Sequence, residues 1–297
     1  EAAFGPIIEA YQSSNAVNVD YTTASSSEVM KAVYQEGVTF DLVISSAMDL
    51  QTKLANDGFA QDYKSAPTAA LPDWAKWRDQ VFAFTQEPAV LVVSKAFFEG
   101  EILPSNRNDL IQMLRENPDR FRGKVGTYDV RTSGLGYLFA TQDSRNSESF
   151  WRLTEVMGRL EPKLYCCSGQ MISDVASGDL AFAYNVLGSY TESRLPTTDG
   201  IKIAPMNDFL SVMLRTVLIP KTAQNTLAAQ QMVDFLVTMN DRTDVVARSG
   251  LPPIDPAVLA KNDALRPIRL GPGLLVFLDR LKRENFLRSW TNSIEQN

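Results

Sequence analysis

The chain has 297 residues, of which 44% are hydrophobic and 22% charged, a composition that suits one large domain or two lobes of ordinary size. Its net charge of −6 and isoelectric point of about 4.9 argue against nucleic acid as a partner, because phosphate backbones bind basic surfaces. The sequence contains no histidine, which excludes a Ser-His-Asp triad, a Cys-His pair, an HExxH zinc site and any imidazole base.

The first part of the chain alternates between helical and strand patterns. The predicted elements are a helix at 2–14, a strand at 17–21, a helix at 26–35, a strand at 40–46 and a helix at 47–57. This order is typical of an α/β lobe with a mainly parallel sheet. Such a lobe usually begins with a strand, so we expect a first strand before the sequence given. A removed leader would fit the same beginning, and so would a cytosolic protein.

Two long β-prone runs divide the chain into predicted lobes. The first is 81–95, which contains Pro88, and the second is 211–221. Proline is tolerated where a strand bends or lies at an edge, so each run could pass from one lobe into the other. The predicted fold is therefore α/β with two lobes and a cleft between them. The predicted boundaries are 1–82 with 210–251 for the first lobe, and 83–209 with 252–297 for the second.

The second lobe repeats the alternation of helices and strands. The predicted elements are helices at 108–117, 135–142, 147–160 and 170–177, strands at 124–128 and 180–186, and a short strand in "KLYCC". "NTLAAQQMVDFLVTMN" has the apolar spacing of an amphipathic helix. The tail "GPGLLVFLDRLKRENFLRSW" predicts a single long helix after a Gly-Pro-Gly turn, packed on the second lobe.

Four predicted strand ends run into helix starts that are rich in hydroxyl groups. They are "YTTASSSEVM", "VISSAMDL", "YDVRTSGLGY" and "YCCSGQMI". Ligands of open α/β sheets bind beyond the carboxyl ends of strands, and helix N-termini favour anions. Serine and threonine are also common helix caps in any protein, so capping alone is the alternative for each start. "SGLGY" lacks the third glycine of a dinucleotide fingerprint, and no GxxxxGK[ST] loop is present.

A further candidate is "YNVLGSYTESR", which follows an apolar strand. Tyr184, Asn185 and Tyr190 there offer directed hydrogen bonds and phenolic oxygens at a strand end. The alternative is a hydrogen-bonded tyrosine packed at the edge of a lobe.

Cys166 and Cys167 are adjacent in sequence. Neighbouring Cα atoms lie about 3.8 Å apart, closer than a relaxed disulfide normally spans, so we expect two reduced and buried thiols. A vicinal disulfide or a soft-metal site remains the alternative. Tetrahedral zinc is not expected, because two thiolates without histidine leave too few ligands.

Five segments in this order resemble the type 2 periplasmic binding proteins, and more narrowly the ferric-iron-binding branch of ABC-transporter solute receptors. They are "PIIEAYQSSNAVNVDY", "FDLVISSAMDLQTKLANDGFA", "GKVGTYDVRTSGLGYLFATQD", "GDLAFAYNVLGSY" and "VLIPKTAQNTLAAQQMVDFLV". The resemblance covers nearly the whole chain. It implies export to the periplasm, a ligand held between two lobes, and delivery to a membrane permease. Ferric receptors of this branch usually have two adjacent tyrosines where this chain has Tyr184 and Asn185, and other members resemble sugar-phosphate receptors.

We therefore expect a monomeric receptor without enzyme activity or cofactor that binds a small phosphorylated or carboxylated metabolite. A ferric-iron receptor with Tyr184, Tyr190 and a synergistic anion is the alternative, as is a ligand-sensing partner of a membrane histidine kinase. An enzyme that uses carboxylates or lysine is the rival class, because related two-lobe folds host chemistry. The predicted ligand-binding residues are Ser25, Ser26, Ser27, Ser45, Ser46, Arg131, Thr132, Ser133, Gly134, Tyr184, Asn185 and Tyr190.

Overall fold

The structure, a computed structural model, describes residues 3–35 and 37–296, which form two compact units. The first unit comprises the chain up to Glu87 together with Met213–Ala260 and Pro267–Val276. The second comprises Pro88–Val212, Lys261–Arg266 and the chain from Phe277 onward. Strands β3 (Val81–Ser94) and β8 (Leu210–Leu218) contribute residues to both units. β3 lies within the predicted run 81–95, and β8 overlaps the predicted run 211–221.

The segment 252–276 differs from the predicted division, which assigned it to the second lobe. Most of it belongs to the first unit. The backbone N–H of Gln86 donates to the carbonyl of Pro252, and the N–H of Leu270 donates to the carbonyl of Trp74. These backbone bonds connect the segment to β3 and to the 3₁₀ turn Asp73–Ala75.

The first unit surrounds short strands with helices. A third strand, β9 (Leu265–Pro267), also spans both units and pairs with β8. The other strands of the first unit are β1 (Val43–Ser45) and β2 (Lys76–Trp77), and its helices are α1 (Gly5–Ser14), α2 (Ser26–Tyr34), α3 (Met48–Asn56), α4 (Ala66–Ala70), α11 (Thr226–Val237), α12 (Thr243–Ser249) and α13 (Pro256–Ala260). β1 pairs with β8 and β2 pairs with β3, both antiparallel. The predicted mainly parallel sheet is wrong for these two pairs. The neighbour of β1 is β8, which is distant in sequence, whereas a parallel neighbour would have come through a βαβ crossover.

The strand predicted at 17–21 is also wrong. This segment has no regular secondary structure; Val17 and Val19 pack against the core of the first unit. The backbone N–H of Val19 donates to the side chain of Gln12 instead of to a neighbouring strand. The apolar side chains of this segment therefore pack against the core that includes α1, without forming a strand.

The second unit contains three parallel strands with a helix after each. β4 (Val125–Tyr128) pairs in parallel with β5 (Lys163–Tyr165) on one side and β6 (Phe182–Leu187) on the other. β6 in turn pairs antiparallel with β3, as does β7 (Ile201–Ile203). The helices are α5 (Arg107–Glu116), α6 (Pro118–Phe121), α7 (Gly134–Asn146), α8 (Phe150–Gly158), α9 (Ser168–Ser177) and α10 (Gly188–Arg194). The carboxyl ends of β4, β5 and β6 therefore lie at one edge of the sheet, where α7, α9 and α10 begin.

The predicted C-terminal tail is not one helix, and only its part from Phe277 onward belongs to the second unit. A 3₁₀ segment, Pro272–Leu278, precedes α14 (Arg280–Ile294). Asp279 separates them because its carboxylate accepts the backbone N–H of Lys282 and so caps α14. Phe286 and Trp290 of α14 join the second unit's core.

Candidate functional site

The edge at which β4, β5 and β6 end is the candidate site of the second unit. Tyr128, the last residue of β4, is in register with Tyr165, the last residue of β5. The phenol of Tyr128 lies 2.5 Å from the hydroxyl of Ser168, the first residue of α9. That hydroxyl also accepts the N–H of Leu187 at the end of β6, at 3.4 Å. Ser168 therefore connects all three strand ends.

α7 approaches β4 closely because of one glycine. A Cβ atom at Gly136 would lie 2.3 Å from the Cβ of Tyr128, a distance that no side chain permits. The hydroxyl of Ser133 accepts the N–H of Gly136 and caps the helix. The "SGLG" of the sequence is thus explained by capping and close packing, whatever else it binds.

Arg131 is engaged by two carboxylates in the second unit. Its Nε and NH2 donate to the two oxygens of Asp129, and its NH1 donates to Glu295 at 2.5 Å. The hydrogen bonds that Arg131 donates to Asp129 raise the pKa of Arg131 above its ordinary value. Burial would raise the pKa of Asp129, but the hydrogen bonds from Arg131 outweigh it and lower that pKa. Arg131 is thus already charge-matched, and the neighbouring hydroxyl of Thr132 donates to the carbonyl of Asp129.

α9 begins without a side-chain cap. Cys167 occupies the capping position of this ten-residue helix, and its side chain accepts none of the first N–H groups. Cys167 stands where α2 and α7 have the capping residues Ser25 and Ser133, and a thiol is a weak acceptor. α3 also lacks a side-chain cap, because Ala47 occupies its capping position.

Cys166 and Cys167 form a disulfide with each other, and both are exposed. The expectation of two reduced, buried thiols is wrong on both counts. The pair lies between the end of β5 and the start of α9, at the surface of the strand-end edge rather than in the core.

β6 contains a bulge at the candidate residues Tyr184 and Asn185. Val186 pairs with Val90 and Ala183 pairs with Val92, so two residues of β6 oppose Leu91 alone. Asn185 has a φ of +61°, a left-handed conformation that asparagine tolerates better than most residues. The bulge turns two consecutive side chains to one side of the strand, which a regular strand cannot do.

Asp143 holds that bulge from α7. The Oδ2 atom of Asp143 accepts the phenol of Tyr184 and the side-chain amide of Asn185, each at 2.8 Å. Its Oδ1 atom accepts the hydroxyl of Ser211 at 3.2 Å. Asp143 is fully buried, so every bond to it is formed away from water.

Arg107 completes this network at the start of α5. Its Nε donates to the Tyr184 phenol at 2.7 Å, and its NH1 donates to Asp208 at 2.9 Å. The guanidinium lies 3.5 Å from the ring centre of Phe209 and 3.8 Å from Asp143. Burial alone would lower the pKa of Arg107, but Tyr184 and the two carboxylates outweigh it and raise that pKa.

Burial and these contacts shift the pKa of the Tyr184 phenol. Burial raises the pKa of its phenol well above 10, and the adjacent Asp143 raises it further, whereas Arg107 opposes the shift. A hard cation such as ferric iron needs charged oxygen ligands. Tyr184 is buried and hydrogen-bonded to Arg107 and Asp143, while Tyr190 lies on α10 and is 37% exposed.

The serines predicted for the first unit lie in two connected places. Ser25 caps α2 in a capping box with Glu28, as its spacing predicted. The hydroxyl of Ser45, at the end of β1, donates to the hydroxyl of Ser26 at 3.0 Å and accepts the N–H of Ala47. Ser46 follows it, and Ser27 lines a groove of about 390 Å³ together with Met30, Lys31, Tyr34, Gln35 and Lys53.

Asp143 and Arg107 were not among the residues that the sequence predicted, whereas Ser168 lies in the predicted helix start "YCCSGQMI" but was not listed as a ligand-binding residue. Asp143 had one signal, an acidic residue within the apolar "YLFATQD" of a predicted buried helix. Arg107 had none, because "NRNDL" reads as an ordinary exposed helix start. Within residues 3–35 and 37–296, no group of three or more His, Cys, Asp and Glu side chains could hold a metal ion. No helix in the described part of the chain is long and apolar enough to cross a membrane.

Comparison with known proteins agrees with this fold. Residues 1–243 match the profile of a family described as bacterial extracellular solute-binding protein. The chain is 31% identical to the substrate-binding protein of an ABC transporter from Agrobacterium tumefaciens, over 98% of this chain and 91% of that chain, with a TM-score of 0.92. No curated protein matches the chain.

Two more distant structures share the fold. Iron-bound HitA from Pseudomonas aeruginosa is 17% identical, over 98% of this chain and 95% of that chain, with a TM-score of 0.75. AfuA from Actinobacillus pleuropneumoniae, with fructose-6-phosphate bound, is 14% identical, over 100% and 96%, with a TM-score of 0.80. Such low identities show the fold alone. The similarities confirm the predicted α/β fold and the resemblance to periplasmic binding proteins.

Proposed function

Because the chain belongs to the family of bacterial extracellular solute-binding proteins, we propose that it is the periplasmic receptor of an ABC transporter for a small anionic metabolite. The metabolite carries a phosphate or carboxylate group. The monomeric receptor passes it to a membrane permease and catalyses no reaction itself.

The observation that carries the anion assignment is the start of α9. Its first N–H groups have no side-chain cap, and the helix begins at the carboxyl end of a parallel strand. Free N–H groups and the positive end of the helix dipole favour negative charge. The start of α7 lies at the same edge and adds the hydroxyl of Ser133, which accepts one N–H and can still donate its own proton.

The proposed contacts in the second unit follow from this placement. Ser133, Gly134 and the N–H groups of Ser168 and Gly169 bind the anionic group, and Thr132 and Tyr190 contact the rest of the ligand. Arg131 contributes less than its charge suggests, because it is already matched by two carboxylates. Tyr184 and Asn185 do not contact the anionic group in this proposal. They hold the end of β6 in place by their hydrogen bonds to Asp143. In the first unit the proposed contacts are Ser25, Ser26, Ser27, Ser45 and Ser46.

A panel of ligands tests the proposal. Purified protein is melted alone and with fructose 6-phosphate, 3-phosphoglycerate, succinate, inorganic phosphate or ferric citrate. A ligand at 100 times its Kd stabilises the folded state by about 2.7 kcal/mol, so an organic anion should raise Tm by several degrees. Ferric citrate should give neither that shift nor a phenolate-to-iron absorption band. A response to ferric citrate alone, with that band, would replace the anion assignment with the iron alternative.

Two variants of α7 locate the site. Ser133→Ala removes the capping hydroxyl and should reduce the ligand-induced shift, measured against the variant's own Tm. Ser144→Ala on the same helix is the matched control, because its hydroxyl donates only to the carbonyl of Thr141. Equal shifts in the two variants would remove Ser133 from the site. Deleting the gene should abolish uptake of the ligand, whereas loss of a transcriptional response with uptake intact would indicate a sensor.

A further inference from the structure

The disulfide between Cys166 and Cys167 does not act as a structural staple. In the chain-entropy account, a disulfide stabilises a fold by closing a loop of the unfolded chain, and the effect grows with the length of the loop. These residues are neighbours, with a sequence separation of 1, so the bond closes no loop. Its contribution to global stability is therefore small, and its presence needs another explanation.

Its position gives that explanation. Both cysteines are exposed, and they are the two residues that join β5 to α9. Exposed disulfides are open to attack by external thiols, unlike those packed in a core. The positive end of α9 also stabilises a thiolate at Cys167, which makes that sulfur a good leaving group.

Both flanks of the pair are anchored to neighbouring strand ends. On one side, the carbonyl of Tyr165 accepts the N–H of Asp129 at 2.8 Å, where the loop between β4 and α7 begins. On the other side, Ser168 contacts Tyr128 and Leu187 through its hydroxyl. A backbone change at the pair therefore reaches the starts of α7, α9 and α10.

We propose that Cys166–Cys167 is a reversible redox site that exchanges with an external dithiol and controls the order of the strand-end edge. The thiolate of the dithiol attacks one sulfur, the S–S bond breaks, and the other sulfur leaves as a thiolate that takes up a proton. The second thiol of the reagent then displaces the first protein sulfur, which also takes up a proton. The protein gains two electrons and two protons, and the reagent becomes a disulfide. The reverse exchange with an oxidised dithiol closes the pair again.

Labelling tests the exchange in the folded protein. Untreated protein, denatured and exposed to iodoacetamide, should take up no label by mass spectrometry. Folded protein treated with dithiothreitol and then labelled without denaturant should take up two. Two labels on untreated protein, or labelling only after denaturation, would overturn the proposal.

Hydrogen exchange tests whether the Cys166–Cys167 disulfide controls the order of the strand-end edge. Reduction should speed amide exchange about fivefold in peptides covering 129–137 and 166–173, the factor that corresponds to one lost hydrogen bond. Exchange in α11 and the Tm should stay unchanged, and the Cys166→Ala/Cys167→Ala variant, which adds no helix cap, should exchange fast with or without dithiothreitol. Unchanged exchange at the edge would refute its control by the pair. A fall in Tm with faster exchange in α11 would make the disulfide a structural staple.

The expected effect of reduction on ligand binding rests on the proposed function. With fructose 6-phosphate as the probe, reduction should weaken binding about tenfold, because the α9 N–H groups lose their fixed positions. If no anion of the panel binds the oxidised protein, the proposed function fails. Labelling and hydrogen exchange still decide the redox site in that case.

Discussion

Each unit of the molecule buries one arginine against a carboxylate, and the two clusters differ in what else the carboxylate holds. In the first unit, Arg215 binds Glu87 with two parallel bonds of 3.0 and 3.1 Å, and the hydroxyl of Thr85 donates to the same carboxylate at 2.6 Å. In the second unit, Asp143 lies 3.8 Å from Arg107. Its closer bonds go to Tyr184 and Asn185 in the bulge of β6.

The difference separates a structural charge pair from a positioning one. Glu87 satisfies Arg215 between two strands, so this pair stabilises its own surroundings. Asp143 instead places residues at a strand end in a backbone conformation that they would not adopt alone. Strained backbone of this kind is typical of functional sites, and it persists only where the surroundings enforce it. Removing either carboxylate should therefore cost stability, but only Asp143 should matter for the ligand.

Glu87→Ala should have the largest effect on stability. It leaves the Arg215 guanidinium buried without its bidentate carboxylate, a loss of about 3–5 kcal/mol in the free energy of unfolding. Urea denaturation measures it. The ligand-induced shift of Tm should be the same as in the wild type. A loss of less than about 1 kcal/mol would show that water compensates the arginine, contrary to its burial.

Asp143→Ala should cost somewhat less, about 2–4 kcal/mol, because Arg107 keeps its bond to Asp208. Unlike Glu87→Ala, it should also reduce the ligand-induced shift, since Tyr184 and Asn185 lose their common acceptor. Asp143→Asn keeps the shape of the side chain, so it should restore part of the stability and part of the ligand-induced shift of Tm. Equal changes of the ligand-induced shift in Glu87→Ala and Asp143→Ala would contradict a specific role of Asp143 in ligand binding.

Tyr184→Phe should destabilise by about 2 kcal/mol, because Arg107 and Asp143 each lose one bond in the interior. The raised pKa of Tyr184 adds a pH dependence. The unfolded phenol ionises near pH 10 while the folded one does not, so stability present below pH 10 is lost as the pH rises above it. The variant should show less of this alkaline loss. An unchanged profile between pH 9 and 11 would show that Tyr184 does not contribute.

Asn185→Gly should have the smallest effect, within about 1 kcal/mol in either direction. Glycine relieves the cost of φ +61° but loses the bond to Asp143. Asn185→Val should be worse than glycine by more than about 1 kcal/mol, since a β-branched residue is strained there. Equal stability of the valine and glycine variants would mean that the bulge is not held as described.

The sequence predicted those features that local pattern determines. The capping box at Ser25, the helix after Ser133 and the two long β-prone runs all follow from spacing and composition. The strand expected at 17–21 and the parallel sheet of the first unit failed, because strand pairing depends on which distant segment arrives as a neighbour. β1 pairs with β8, which lies far along the chain.

The positions of the candidate hydroxyl groups at the strand ends were predictable, but their contacts were not. The sequence pattern placed Ser133 shortly after β4, and whether a ligand binds at that edge stays a prediction. The bulge at Tyr184 could not be foreseen, because it depends on a carboxylate 41 residues earlier in the chain. Likewise, the charge of Arg131 suggested a ligand clamp, whereas Glu295 and Asp129 already occupy it. Such pairings between distant residues leave no periodic signal.

The central claim is that an anion binds where β4, β5 and β6 end. Titration of ¹⁵N-labelled protein with fructose 6-phosphate, followed by backbone amide chemical shifts, tests it most directly. Inorganic sulfate serves as the control for nonspecific anion effects. The largest chemical-shift changes should occur at the N–H groups of Gly134, Leu135, Ser168 and Gly169, because these donors face the added charge. Saturable shifts that leave those four amides unmoved and gather at the groove lined by Lys31 and Lys53 would contradict it.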